Sequence, residues 1–450
     1  HLLGAVGTLA VSAGWWVAIV ELVPASTRPY IGGSQTNDFL ELTFGYNGLG
    51  RLTGQEAGSV TGGGAAAGRA TGGMWGQTGL LRLFGSEFGT QVSWLLPAAL
   101  ALLAVGVIVL WRRPRIDPAR ATVLLLGGTL LVTGLAFSFG AGIIHPYYSV
   151  ALAPAIGGLV GTGSLLLWRR RDALWARIAA AAVVVLTTAW SWVLLGQAPT
   201  FLPWLKVLVA LAGLVAAVAL VAGPRRSVLR TIGIVAALTA GLAGPAAFSV
   251  NTAVTPHTGS IPSAGPAIAG AGFGGGRFGG ARFGGSPRGF APPAGGGRGF
   301  GGPGAFGGLG NGGGTRFGGA GGFGGLLGGS ATVSSQVTAA LRAGSGSYTW
   351  AAAAIGSQNA AGYQLASGQP VMAIGGFNGS DPSPTLAEFQ ADVATGRIHY
   401  FIASGTGGRS NGGSSASSDI ASWVQANFTA TTVGGVTMYD LSSASTTVGI

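Results

Sequence analysis

Residues 92–120 read VSWLLPAALALLAVGVIVLWRRPRIDPAR. From Val92 to Trp111 no side chain is charged, and then Arg112, Arg113, Arg115 and Arg120 follow with Asp117 among them. A hydrocarbon core of ~30 Å takes ~20 helical residues, so this stretch reads as a membrane span that ends in a basic loop. The same pattern recurs in both directions. Seven spans are expected, running roughly Leu2 to Val23, Val92 to Trp111, Ala121 to Phe139, Tyr147 to Trp168, Trp175 to Leu195, Trp204 to Ala222 and Leu229 to Val250. The first has no basic region before it and no small-residue cleavage pattern after it, so it reads as an interior span and not as a signal peptide.

Composition agrees. Of 450 residues, 48% are hydrophobic and 8% charged, against about 25% charged in an average soluble protein, which excludes an ordinary soluble enzyme. There is no Cys, so disulfide scaffolds, thiolate metal sites and a Cys nucleophile are excluded. The formal charge is +12, and most of that excess lies in three loops. Arg112, Arg113, Arg115 and Arg120 follow the second span; Arg169, Arg170, Arg171 and Arg177 the fourth; Arg225, Arg226 and Arg230 the sixth. The loops Gly140 to Pro146 and Gly196 to Pro203 carry no charged residue. Basic loops stay cytoplasmic, which predicts a plasma-membrane protein with its amino end inside and everything after Val250 outside. Charges spread along a membrane surface are not a nucleic-acid face, and no nucleic-acid partner is expected.

Three regions follow: a transmembrane region 1–250 with an outward loop 24–91, a linker 251–329, and a terminal domain 330–450. The linker is Gly with Phe, Arg and Pro, in units such as Phe273-Gly274-Gly275-Gly276-Arg277. Glycine at this density does not offset its ordering entropy, so a disordered tether is expected, open to loose contact with anionic lipid or wall polymer. A smaller Gly-rich insertion spans Gly58 to Gly79. After Ser330, strand patterns at Tyr348 to Ile355, Val371 to Ile374, Ile398 to Ala403 and Val436 to Leu441 alternate with helical ones. That alternation predicts a small α/β domain with a largely parallel sheet. The loops Gly375 to Asp381 and Ser404 to Gly413 would lie at the carboxyl edge of that sheet, where open sheets bind ligands; a tight turn explains the first equally well.

The outward loops carry the chemistry-bearing residues. Thr36 to Leu52 reads TNDFLELTFGYNGLGRL, too polar and aromatic for a spacer. Tyr46 and Asn47 suit contact with a sugar or headgroup, and Arg51 suits phosphate. Further on, GLLRLF at residues 79–84 precedes SWLLPAAL at residues 93–100 and would place Arg82 at headgroup height, either on a phosphate or snorkelling. The turn FSFGAGIIHPYY at residues 137–148 brings His145, Tyr147 and Tyr148. His145 could bind phosphate, move a proton or cap a helix, and paired tyrosines are also ordinary residues of the interfacial belt.

Together these stretches resemble the carboxyl-terminal half of bacterial membrane glycosyltransferases of the protein O-mannosyltransferase-like family (glycosyltransferase family 39), particularly actinobacterial mannosyltransferases. The resemblance implies a GT-C-like fold, here partial, that moves a sugar from a polyprenyl-phosphate donor lipid to a protein or glycan acceptor outside the membrane. Arg51, Arg82 and His145 are then the expected phosphate contacts, and Tyr46, Asn47, Tyr147 and Tyr148 the sugar or headgroup contacts. No cofactor is firmly implied; a divalent cation is compatible with the chemistry. In that family the acidic base lies in the first outward loop, several spans before the region seen here, so the chain reads as truncated, its base is expected upstream of His1, and the fragment alone is expected to be inactive. Asp38 and Glu41 are not given that role. Two rival readings stay open: a multi-span transporter, against which stand the lack of internal repeats and of midplane charge, and a noncatalytic membrane anchor that displays the α/β domain.

Overall fold

The computed structural model describes residues 2–56, 76–223, 227–256, 263–268, 333–403 and 413–442. Among them, seven helices are long and apolar enough to cross a membrane. They are α1 (Leu2–Leu22), α2 (Leu96–Leu110), α3 (Pro118–Phe139), α4 (Ala153–Trp168), α5 (Leu174–Gly196), α6 (Pro203–Ala222) and α7 (Ser227–Val254). Short helical turns, Gly89–Val92 with Ser93–Leu95 and Pro146–Leu152, lead into α2 and α4. Proline opens α2, α3, α4 and α6 within the first turn, where its missing N–H costs nothing. Asp117 caps α3 by accepting from the Arg120 amide at 3.0 Å, so the acid inside the basic loop is spent on starting the next helix.

Lipid tails are as apolar as leucine, and helices in a bilayer associate through close packing at small residues. A Cβ on Gly163 of α4 would stand 2.6 Å from that of Leu102 on α2, and one on Gly213 of α6 2.1 Å from Oγ1 of Thr188 on α5. Two helix groups result. One joins α2, α3 and α4 around Leu96, Leu130, Leu152, Ile156 and Leu159; the other joins α5, α6 and α7 around Leu194, Leu205, Val209 and Phe248, with Trp94 wedged between them from the start of α2. Lys206 holds its ammonium 4.5 Å from the Trp192 ring centroid, a cation–π contact in place of free snorkelling. Helix α1 buries no side chain among the described residues. It is tied in at its end, where Glu21 takes the Phe39 amide at 3.0 Å and Arg28 at 3.4 Å.

The terminal domain consists of α8 (Ser335–Arg342), β1 (Trp350–Ile355), α9 (Ser357–Ser367), β2 (Val371–Ile374), α10 (Leu386–Ala394), β3 (Ile398–Ile402), α11 (Ala416–Asn427), β4 (Ala430–Val433) and β5 (Val436–Asp440). The sheet order is β2-β1-β3-β5-β4, with β1 parallel to β2 and β3. Side chains alternate across a strand: Ala352 and Ala354 face α8 and α9, while Ala353 faces α10 and α11 with Phe389, Phe401 and Ile420. Thr385 and Glu388 form a reciprocal capping box at the start of α10, the S/T-x-x-E signature of a helix start.

Two expectations need correction. The sheet is parallel only on its β2-β1-β3 side, because β5 runs antiparallel to β3 and an unforeseen strand, β4, pairs with it as a hairpin. The connecting residues Gly434 and Gly435 have φ of +54° and +83°, and two left-handed positions define a type I′ turn. The tether does not begin at residue 251, since α7 runs to Val254 and Ala264 exchanges two hydrogen bonds with the Gln91 side chain at 2.8 and 3.0 Å. The rest of the linker, residues 57–75 of the smaller Gly-rich insertion, and most of the Ser404 to Gly413 loop lie outside the described residues. The Gly375 to Asp381 loop, at the sheet edge as expected from its place after β2, meets the loop that follows α1: the buried carboxylate of Asp381 accepts the Gly33 amide at 2.8 Å. Burial raises the Asp381 carboxyl above its ordinary range, Glu41 adds to the rise, and the Gly33 N–H opposes it.

Candidate functional site

The Thr36 to Leu52 stretch folds as a wide helical turn, Glu41–Leu49, kinked at Gly48 (φ −112°, ψ −107°), followed by the short helix Gly50–Thr53. Gly54 ends that helix at φ +80°, a left-handed position that suits glycine. The chain then turns back against the 137–148 turn. There the Ala141 amide donates to the Leu52 carbonyl at 3.0 Å and the Gly142 amide to the Arg51 carbonyl at 2.9 Å. Two motifs 90 positions apart in sequence are thus joined through the main chain.

At this junction Arg51 is held from four sides. Its Nη1 lies 3.0 Å from Glu56 Oε1 and donates to the Ile143 carbonyl at 3.1 Å; Nη2 reaches Asn47 Oδ1 at 3.4 Å; and its guanidinium carbon sits 4.6 Å from the Tyr46 ring centroid. The Glu56 side chain is 3% exposed and that of Arg51 15%. Glu56 also accepts the Ile143 amide with both oxygens at 3.0 Å. Burial raises its carboxyl above the ordinary value, while Arg51 and the Ile143 amide pull it down. A buried charge persists only when it is paired and hydrogen-bonded, and each member of this pair supplies that condition for the other.

His145 follows two residues after Ile143. Its ring stacks on Tyr147 at 5.0 Å and 8°, and meets Tyr148 edge-on at 5.1 Å, while the two tyrosines are 5.0 Å apart at 88°. It occupies the position before the Pro146–Leu152 turn but makes no side-chain cap, so capping does not explain it. Burial and the nearby Arg51 push its imidazole down to about 4. Burial thus favours the neutral imidazole at pH 7, a hydrogen-bonding group. Its folded value lies below that of an exposed imidazole, so its contribution to stability is present above pH ~6.5 and lost as the pH falls toward 4.

The structure brings Arg51, Tyr46, Asn47, His145, Tyr147 and Tyr148 together. Arg82 is placed differently. It is 5% exposed, donates to the Gly140 and Phe137 carbonyls at 2.6 and 3.1 Å, and lies 5.5 Å from the Phe88 ring centroid. Burial lowers its pKa to about 10, which leaves it charged at neutral pH. A cation on the last carbonyls of α3 is favoured by the helix dipole, so Arg82 fixes the turn that carries Gly142 to Tyr148. Glu56 was overlooked in the sequence. An acid placed five residues after Arg51 was the signal available. Asp38 and Glu41 are occupied in the loop itself: Asp38 accepts the Glu41 amide at 2.6 Å, and Glu41 the Gln35 amide at 2.9 Å. Among the described residues, no group of three or more His, Cys, Asp or Glu is placed to hold a metal ion.

A family model described as "Putative mannosyltransferase YkcB-like, C-terminal" matches residues 337–427, within the terminal α/β domain. Two curated relatives come from Bacillus subtilis (strain 168). "Putative mannosyltransferase YkcB" is 27% identical over 512 residues, covering 95% of this chain and 63% of the relative. "Putative mannosyltransferase YycA" is 26% identical over 487 residues, covering 92% and 62%. The chain therefore spans somewhat less than two thirds of the length of either. No solved structure matches at a comparable level. The bundle, the joined loops and the terminal domain are thus similar, over nearly the whole of this chain, to proteins named as mannosyltransferases.

Proposed function

We propose that the chain belongs to a membrane glycosyltransferase that moves a sugar, mannose by the names of its relatives, from a polyprenyl-phosphate donor to a protein or glycan acceptor on the outer membrane face. The observation that carries this reading is the Arg51 cluster. A guanidinium already oriented by Glu56, Asn47 and the Ile143 carbonyl, rimmed by Tyr46, Tyr147 and Tyr148, offers a preorganised partner for a lipid phosphate and aromatic faces for a sugar ring. In the reaction the acceptor hydroxyl gives its proton to a general base as its oxygen bonds to the anomeric carbon, the bond from that carbon to the donor phosphate oxygen breaks, and the lipid phosphate leaves with the electron pair. Arg51 stabilises the charge gathering on that phosphate. Neutral His145, against the same aromatic wall, donates a hydrogen bond to it or relays a proton. No base is assigned to Asp38 or Glu41, whose carboxylates hold their own loop.

The alternation of arginine-rich and uncharged loops supports placing this cluster and the terminal domain outside the membrane. The contact between Asp381 and Gly33 supports a terminal domain that sits against the outward loop bearing Arg51.

Donor titration of the full-length protein in detergent tests the proposal. Arg51→Ala is expected to weaken binding of a polyprenyl-phosphate sugar about tenfold to a hundredfold, the cost of one charge-assisted bond of ~1.5–3 kcal/mol. His145→Gln is expected to weaken it less and, in melting curves, to remove the loss of stability between pH ~6.5 and 4. Unchanged donor affinity in both variants removes the cluster from the donor site.

A further inference from the structure

The end of the bundle opposite the Arg51 cluster holds a second feature, which nothing in the proposed transfer reaction uses. Between the two helix groups lies a cavity of about 620 Å³, lined by α2, α4, α5, α6 and α7. Its walls are apolar, with Leu102, Val160, Val183 and Ala237 among them. Its mouth is not: among the described lining residues, Arg171, Arg177 and Arg230 stand there against Asp172. From Arg177 to Thr187 the lining on α5 spans about 15 Å of helix rise, which is half of a ~30 Å hydrocarbon core. The depth is that of one leaflet.

Arg177 is set into the mouth. A Cβ on Gly223, which ends α6 at φ +60°, would fall 2.1 Å from Arg177 Nη1, so the guanidinium fills the space that glycine leaves. Its Nε is buried and has no hydrogen-bond partner among the described residues. Arg171 is drawn toward the rim by Trp168, whose ring centroid is 5.0 Å away and whose carbonyl accepts its Nη1 at 3.1 Å. Arg230 is exposed at the start of α7.

From this arrangement we infer that the cavity is a binding site for an anionic glycerophospholipid of the adjoining leaflet, its phosphate among Arg171, Arg177 and Arg230 and an acyl chain in the seam between the helix groups. A leaflet-deep apolar slot takes a chain that already lies at that depth, and a mouth with three cations to one acid selects a negative headgroup over a zwitterionic one. The buried Arg177 Nε gains in the headgroup the acceptor it lacks.

The full-length protein, purified in a mild detergent, is titrated with phosphatidylglycerol and with phosphatidylcholine, and bound lipid is counted by native mass spectrometry. Wild type is expected to hold one phosphatidylglycerol at least about tenfold more tightly than phosphatidylcholine. Arg177→Gln with Arg230→Gln is expected to abolish that preference, as is Ala237→Phe, which fills the slot without touching a charge. Arg115→Gln, on another basic loop and away from the cavity, is expected to keep it. Melting curves of the same samples show that each variant is folded. Equal affinity for the two lipids overturns the inference, and so does equal loss in Arg115→Gln. It is overturned as well if a polyprenyl phosphate displaces phosphatidylglycerol mole for mole and its own binding is lost in the Arg177/Arg230 variant. The phosphatidylglycerol and phosphatidylcholine titrations do not bear on the Arg51 cluster, which lies at the other end of the bundle; only the polyprenyl-phosphate arm does.

Discussion

Glu56→Ala is expected to cost about 3–5 kcal/mol of stability and to take sugar transfer with it, because it leaves the Arg51 guanidinium half-buried beside an empty site. The pair lies 3.0 Å apart, with Glu56 almost wholly enclosed, and Glu56 also receives the Ile143 amide, so one truncation strips both a charge and a main-chain donor of their partner. Glu56→Gln guards against a variant that fails to fold. It keeps an acceptor for Ile143 and should recover part of the stability while still weakening the hold on Arg51. The double variant Arg51→Ala/Glu56→Ala should be more stable than Glu56→Ala alone, since no unpaired charge remains, yet stay inactive. Melting curves and transfer assays on the four proteins check this. If Glu56→Ala melts and transfers like wild type, the pair does not organise the site.

Gly142→Ala is expected to be nearly as damaging without altering any charge. A Cβ at Gly142 would stand 2.6 Å from Glu56 Oε1, 2.8 Å from Arg51 Cα and 2.8 Å from the Gly50 carbonyl oxygen, and two of those three neighbours are main chain that cannot swing aside. Overpacking of this kind costs about 1–3 kcal/mol of stability, and donor affinity is expected to fall as the two loops are forced apart. Gly161→Ala on α4 is the control. A Cβ there meets nothing within 4 Å, and alanine is the better helix former, so that variant should be neutral or slightly stabilised. Equal behaviour of the two variants in donor titrations would mean that the loop junction is looser than its contacts imply.

How much of this was readable beforehand depended on how local each signal was. The spans were legible because length and lack of charge decide them within a single stretch, and the α/β alternation because strand and helix periods differ over a few residues. The β4–β5 hairpin escaped because Thr431 and Thr432 lack an apolar face, although Gly434-Gly435 marked its turn. The site was found in pieces. Arg51 and His145 each sat in a conspicuous motif, but Glu56 acquires its meaning only from Ile143, 87 positions away, and Arg82 from carbonyls 55 and 58 positions away. Nothing in the composition of GLLRLF tells a headgroup arginine from one that caps α3. The charge state of His145 was hidden for a related reason, since its neutrality comes from burial and from Arg51, a neighbour supplied by another loop.

The central claim is that the donor's phosphate and sugar lie on the Arg51 cluster. Photo-crosslinking the full-length protein in membranes with a diazirine-bearing polyprenyl-phosphate mannose, followed by peptide mapping, tests it most directly. The predicted adducts fall within residues 41–56 and 141–148, and decline when unlabelled donor competes. Adducts confined to the arginine-mouthed cavity, within residues 160–187 and 219–242, would contradict it.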